Sequence, residues 1–213
     1  MKSKTSKQLE RTRRSDGERS HGAILDEAAR LATVEGIEGL SLARLADAVG
    51  MSKSGLFAHF KSKEELQLAT VEAASSVFAE LVTEPASRTS TGMERLRRLV
   101  DGYLGYLEVE TYPGGCFFAS TLAEMDMQPG PVRDRLVTFL GDWLGEIETA
   151  VRDAQDEGSI DSAEDAAQLT FEIEAALFLA NAQYIVTRTP EPIERARRAI
   201  HRRLGLAASP ART

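Results

Sequence analysis

The sequence is informative first through what it has little of. It holds one cysteine, Cys116, so no disulfide can close within the chain. Its three histidines, His21, His59 and His201, lie far apart and share no metal-ligand spacing. No run of about 18 apolar residues occurs, so no membrane span is expected. The basic N-terminus lacks the apolar stretch of a secretion signal, which implies a cytoplasmic protein. No proline precedes Pro85, and no segment alternates apolar and polar residues as a half-buried strand does. Nucleophile elbows, phosphate loops and paired catalytic residues are missing too, so neither an enzyme nor a cofactor is expected.

Charge is present but uneven. The formal net charge is −7, which alone argues against a nucleic-acid partner. Residues 1–65, however, carry 12 Lys/Arg against 10 Asp/Glu, while the remainder carries 14 against 23. A chain basic only at its head can turn that head to phosphate and keep its body away. An ordinary acidic protein with a charged tail has the same balance, so charge leaves the choice open.

Apolar periodicity predicts an all-α chain. Residues 1–18 are polar and basic and read as a disordered arm, either a DNA contact or a solubilising tail. A first helix is expected at about 20–35, with Ile24, Ala28, Leu31 and Ala32 on one face and Gly36 as its stop. A second should follow Ser41, and a short third should run from Lys53 to about His59. Ser62 and Glu65 have capping-box spacing, opening a fourth helix to about Val82 that buries Leu66, Ala69, Ala73, Val77 and Leu81. Residues 83–92, with Pro85 and Gly92, read as a polar linker. The expected division is a head at 19–66 leading into the connecting helix, and a helical body at 83–206.

In the body, Leu96, Leu99, Val100, Tyr103 and Leu107 form one stripe, and Pro131 opens a long helix ending at Gly158. The helix expected at about 162–187 is apolar on two sides. Leu169, Ile173, Leu177 and Tyr184 line one, and Phe171, Ala175, Phe178 and Ala182 the other. Both sides need cover, so the second suits a subunit interface or the centre of a monomeric bundle. The last helix, about 190–204, carries arginines that read as a solvated face with acidic neighbours.

The segment from Ser41 to Phe60 has the logic of a helix-turn-helix. Two short helices flank Gly50, where the sharp turn calls for positive φ, and Leu45, Val49 and Leu56 close a small core between them. The short third helix is a poor structural helix, since Ser52, Ser54 and Gly55 disfavour helix interiors. Small residues nonetheless let its N-terminus approach a duplex, where Lys53 can reach guanine or phosphate. A generic corner between two helices is the plain alternative.

The run Met51-Ser-Lys-Ser-Gly-Leu-Phe-Ala-His-Phe-Lys-Ser-Lys-Glu-Glu-Leu66 carries a specific signature. Residues 20–66 resemble the DNA-binding domain of the TetR/AcrR family of transcriptional regulators. The resemblance implies base or phosphate contacts for Ser52, Lys53, Ser54, Phe57, His59 and Lys63, and for Arg44 on the bracing helix, with Phe60 as a core plug. Two positions depart from the family pattern. Phe57 replaces a tyrosine whose hydroxyl bonds phosphate, and Ala58 removes a second aromatic, so phosphate binding should lean on Lys53, Lys63 and helix N-termini.

For the body, the resemblance implies dimerisation through the last two helices and a ligand cavity in the middle ones. Of the 13 aromatic residues, 11 lie beyond residue 77, which suits such a cavity. Phe78, Tyr103, Tyr106, Phe117, Phe118, Phe139 and Trp143 are candidate lining residues, and Glu124, Glu108 and Tyr106 candidate polar anchors; each also suits plain core. Cys116 has a redox-sensor reading beside a buried, inert one. The resulting expectation is a homodimeric regulator of double-stranded DNA, most simply a repressor released from a palindromic operator by a small molecule. The alternative is a helical ligand-binding or scaffold protein that has lost DNA binding.

Overall fold

Three helices and their caps build the head. The computed structural model describes residues 20–125 and 127–206, so the basic arm expected at 1–18 lies outside the described residues. Helix α1 spans 20–35 and buries Ile24, Ala28, Leu31 and Ala32. Helix α2, Leu42–Val49, is capped by Ser41, whose hydroxyl accepts from the Arg44 N–H at 3.2 Å. Gly50 ends it at φ +67°, a conformation cheap only for glycine. Helix α3 is Lys53–Phe57, two residues shorter than expected. Its last turn tightens, with Ala58 N–H donating to Gly55 O and His59 N–H to Leu56 O. That tightening brings Phe60, 1% exposed, down into the head core beside Leu45 and Leu56.

Helix α4, Lys63–Phe78, opens as a modified capping box. Ser62 Oγ accepts from Glu65 N–H at 3.0 Å, but Glu65 reaches back one residue further than expected, to Lys61 N–H at 2.8 Å. The single buried stripe read from the sequence is only half right. Leu66, Ala69 and Ala73 face the head core, whereas Val71, Ala74, Phe78 and Val82 face the body, and Leu81 is exposed. One helix serves two cores, so its apolar positions do not follow one face.

The linker expected at 83–92 is helical through Ser87. A π-helical turn, Ala79–Thr83, joins α4 to the short helix α5, Glu84–Ser87, which holds Pro85 in its first turn. A proline ring clashes with the carbonyl four residues back in a regular helix, and the wider π turn relieves that clash. Val82 and Ala86 are thereby kept in the body core.

The body comprises α6 (Gly92–Glu108), α7 (Phe117–Met125), α8 (Pro131–Asp156), α9 (Ala166–Thr187) and α10 (Glu191–Arg203). Among the described residues there is no strand, and no helix is long and apolar enough to cross a membrane. The α6 stripe, Leu96, Leu99, Val100, Tyr103 and Leu107, is buried as expected. Helix α9 begins later than expected because the Asp165 carboxylate accepts from Ala167 N–H at 2.9 Å and Gln168 N–H at 3.2 Å. On α10, Arg197 pairs with Asp101 at 2.6 Å and Glu108 at 2.9 Å, and Arg203 with Glu164 and Glu172. The other side of α9 leaves Phe171, Phe178, Leu179 and Val186 exposed.

Candidate functional site

The outer face of the head presents the short helix α3. Ser52 caps it by accepting from Gly55 N–H at 3.1 Å, and its hydroxyl lies 3.1 Å from that of Ser54. Ser52, Lys53 and Ser54 are exposed, and so is Phe57, at 53%. Neither Lys53 nor Lys61 has an ion-pair partner among the described residues.

Three other predicted contacts are engaged within the chain. Arg44 grips the Glu35 carboxylate with Nη2 at 2.6 Å and Nε at 3.1 Å, which holds that carboxyl below its ordinary range. Lys63 Nζ donates to Glu38 O at 2.7 Å and to its carboxylate at 3.1 Å. Glu38 is also lowered, first by the hydrogen bond from the Gln67 side chain and then by Lys63. His59 is half-buried, its ring 5.7 Å from that of His21 and 6.2 Å from that of Phe60. It packs α3 onto α1 as well as facing outward.

In the body, a cavity of about 240 Å³ opens between α4, α6, α7, α8 and α9. Phe78, Tyr103, Phe118, Phe139 and Trp143 line it, as proposed from the sequence. The other four candidates lie elsewhere. Phe117 and Tyr106 are buried in the core beside it, with Phe117 N–H donating to the Tyr106 hydroxyl at 3.4 Å. Glu108 is held by Arg197, so it is not an anchor either. Glu124 faces the head: its Oε2 accepts from Ile37 N–H at 2.7 Å and its Oε1 from Glu38 N–H at 2.8 Å. A Cβ on Gly36, where φ is +83°, would stand 2.7 Å from that carboxylate, so the turn between α1 and α2 is shaped to receive it.

Sequence reasoning missed Glu174, the carboxylate that does line the cavity. Its Oε2 accepts from Trp143 Nε1 at 2.8 Å, and burial pushes its carboxyl above the ordinary range. A partial signal was available: Glu172 and Glu174 are the two charges inside the apolar run from Phe171 to Ala180, though only the fold distinguishes them. Cys116 also lines the cavity, but burial pushes its thiol up to about 11. That leaves it protonated and poorly nucleophilic at neutral pH.

Comparison with known proteins bears on both sites. The family model described as bacterial regulatory proteins, tetR family, matches residues 24–70, and that described as tetracyclin repressor-like, C-terminal domain, matches residues 92–200. No curated protein sequence matches the chain significantly. Solved structures do. A TetR transcriptional regulator from Chloroflexus aurantiacus J-10-FL superposes with a TM-score of 0.82 at 25% identity, covering 90% of this chain and 96% of that one. AibR, solved in complex with isovaleryl coenzyme A and operator DNA, gives 0.69 at 24% identity over 85% and 96%. Reduced NemR from E. coli gives 0.71 at 18% identity over 90% and 100%. With both halves matched and the helix-turn-helix exposed, the chain belongs to the TetR family of bacterial regulatory proteins and is a DNA-binding transcriptional regulator.

Proposed function

We propose that the chain acts in the cytoplasm as a homodimeric repressor, released from a palindromic operator when a small molecule fills the body cavity. The observation that carries this reading is the pairing of an exposed α3 with an aromatic-lined cavity in the body, joined by α7. Helix α7 lines the cavity through Phe118 and Leu122 and ends in the Glu124 carboxylate that holds the head. A ligand pushing on α7 therefore pulls on the turn that precedes α2.

On DNA, Ser52, Lys53, Ser54 and Phe57 enter the major groove. Phe57 makes apolar contact with a thymine methyl or a sugar, since it has no hydroxyl for phosphate. Arg44 and Lys63 exchange Glu35 and Glu38 for phosphates. His59 contacts phosphate from the edge of the helix while its ring stays packed on His21.

The dimer forms through α9 and α10, burying Phe171, Phe178, Leu179 and Val186 against their copies. Two recognition helices then stand roughly 35 Å apart, matching successive major grooves. A ligand that favours another spacing weakens binding by a coupling of about 1–3 kcal/mol. AibR, solved in complex with isovaleryl coenzyme A and operator DNA, supports the pairing of a ligand site with a DNA-binding head in one chain.

Genomic footprinting of the protein tests the reading. It should protect palindromic sites at low salt, with occupancy lost on adding an effector. A well-folded dimer that protects no site would leave a helical ligand-binding protein without a DNA function.

A further inference from the structure

The effector cavity has a chemical polarity of its own. Its walls are aromatic: Phe78 from α4, Tyr103 from α6, Phe118 from α7 and Trp143 from α8. Into this surface projects one carboxylate, Glu174 of α9. No lysine, arginine or histidine is among the lining residues, and no ion pair joins Glu174 to a cation among the described residues. Trp143 donates to Oε2 at 2.8 Å, but a carboxylate has room for about four acceptor contacts. A half-buried carboxylate served by one neutral donor and facing an aromatic wall gains from a cationic partner. Burial raises this carboxyl's proton affinity, as a site short of positive charge requires.

The rings complete the picture. Tyr103 and Trp143 stack with centroids 6.0 Å apart, and Phe78 meets Trp143 edge-on at 5.2 Å. Aromatic faces attract a cation as well as hydrocarbon, tryptophan most strongly. A cavity of about 150 Å³ accepts benzene. At about 240 Å³, this one takes a single ring with a short side chain.

We propose that the effector is a small lipophilic amine, seated with its ammonium on Glu174 and its hydrocarbon part against Trp143, Tyr103 and Phe78. The inference rests on the reading of this cavity as the effector site. It also separates this chain from AibR, which was solved with isovaleryl coenzyme A. The phosphates of a coenzyme A call for cations, and the lining here offers a carboxylate instead.

Trp143 is the only tryptophan and lines the cavity, so fluorescence excited selectively at tryptophan reports on the cavity wall. The full chain is titrated at neutral pH with three matched probes: phenethylamine, 2-phenylethanol and 3-phenylpropionate. The amine should change Trp143 emission at the lowest concentration and the acid at the highest. Glu174→Gln should weaken the amine about thirtyfold or more, the scale for losing one member of a desolvated charge pair. The same variant should leave phenylethanol affinity nearly unchanged, which also shows that the cavity is intact. Equal binding of acid and amine, an unchanged amine affinity in E174Q, or no response to any probe would each overturn the proposal. A parallel operator gel shift separates the two readings: if the amine binds but DNA stays bound, the ligand class stands and the effector role fails.

Discussion

Removing the Glu124 carboxylate should loosen the head from the body, and the structure sets the scale. In Glu124→Ala, Ile37 and Glu38 lose the acceptors now 2.7 and 2.8 Å from their N–H groups. Ile37 is fully buried, so its N–H has no water to turn to. A hydrogen bond to a charged group contributes about 1.5–3 kcal/mol, and an orphaned buried donor costs about 1–3 kcal/mol. The Glu38 N–H is only half-buried and recovers water, so its loss falls at the lower end. Together the two give a destabilisation of about 3–4 kcal/mol. For a chain of this size each kcal/mol lowers Tm by roughly 2–4 °C, so E124A should melt about 6–16 °C below the parent. Glu124→Gln should recover only part of this, because its amide NH2 faces one of the two donors. Differential scanning calorimetry of parent and both variants decides the matter. A Tm for E124A within about 2 °C of the parent would refute the reasoning. The folded variant should also show weaker effector release of DNA at unchanged Trp143 response.

Lys53→Ala should weaken operator binding at least about tenfold and lower the salt slope by about one per half-site, read by gel shift across a salt series; an unchanged slope counts against a phosphate contact. Phe171→Glu, at a site 68% exposed in the single chain, should convert the dimer to monomer in size-exclusion chromatography with light scattering, and a persistent dimer would place the interface elsewhere. Because burial raises the Glu174 carboxyl, the folded chain holds that proton more tightly than the unfolded chain. Its contribution to stability therefore falls as pH rises from the ordinary carboxylate range to the raised folded value, and stays low above it. E174Q should lack that fall, so a Tm difference between parent and variant that is constant from pH 4 to about pH 8 would refute it. Cys116, 3% exposed and with its thiol pushed up to about 11, should react with a thiol reagent only after denaturation, and rapid labelling of the native protein would reopen the sensor reading.

Local signals were legible where one face of one element carries them. Ser41, Gly50 and Ser62 mark a helix start, a turn and a cap by residue type alone, and the structure uses all three as such, whereas the cap at Ser52 was read only as a poor helix residue. The stripes of α1 and α6 follow one period because each meets one core. Helix α4 was misread in register because its two halves face different cores. Pro85 reads as part of a polar linker because nothing local announces a π turn, which carries the helix past that proline with Val82 and Ala86 buried. The aromatic cavity was found as a composition bias, but a count of rings cannot distinguish Phe118, which lines it, from Phe117, which is buried in the core beside it.

By itself, then, the sequence determined most of the helices and the helix-turn-helix, since these rest on spacings of a few residues whose physics is local, and its 51–66 signature carried the resemblance to the family. Only the tertiary structure decided which carboxylate belongs to which task. Glu124 meets the head 86 to 87 residues upstream, and Glu174 meets Trp143 31 residues upstream. Such pairings depend on how packed helices bring distant positions together, and no periodicity along one helix contains that information.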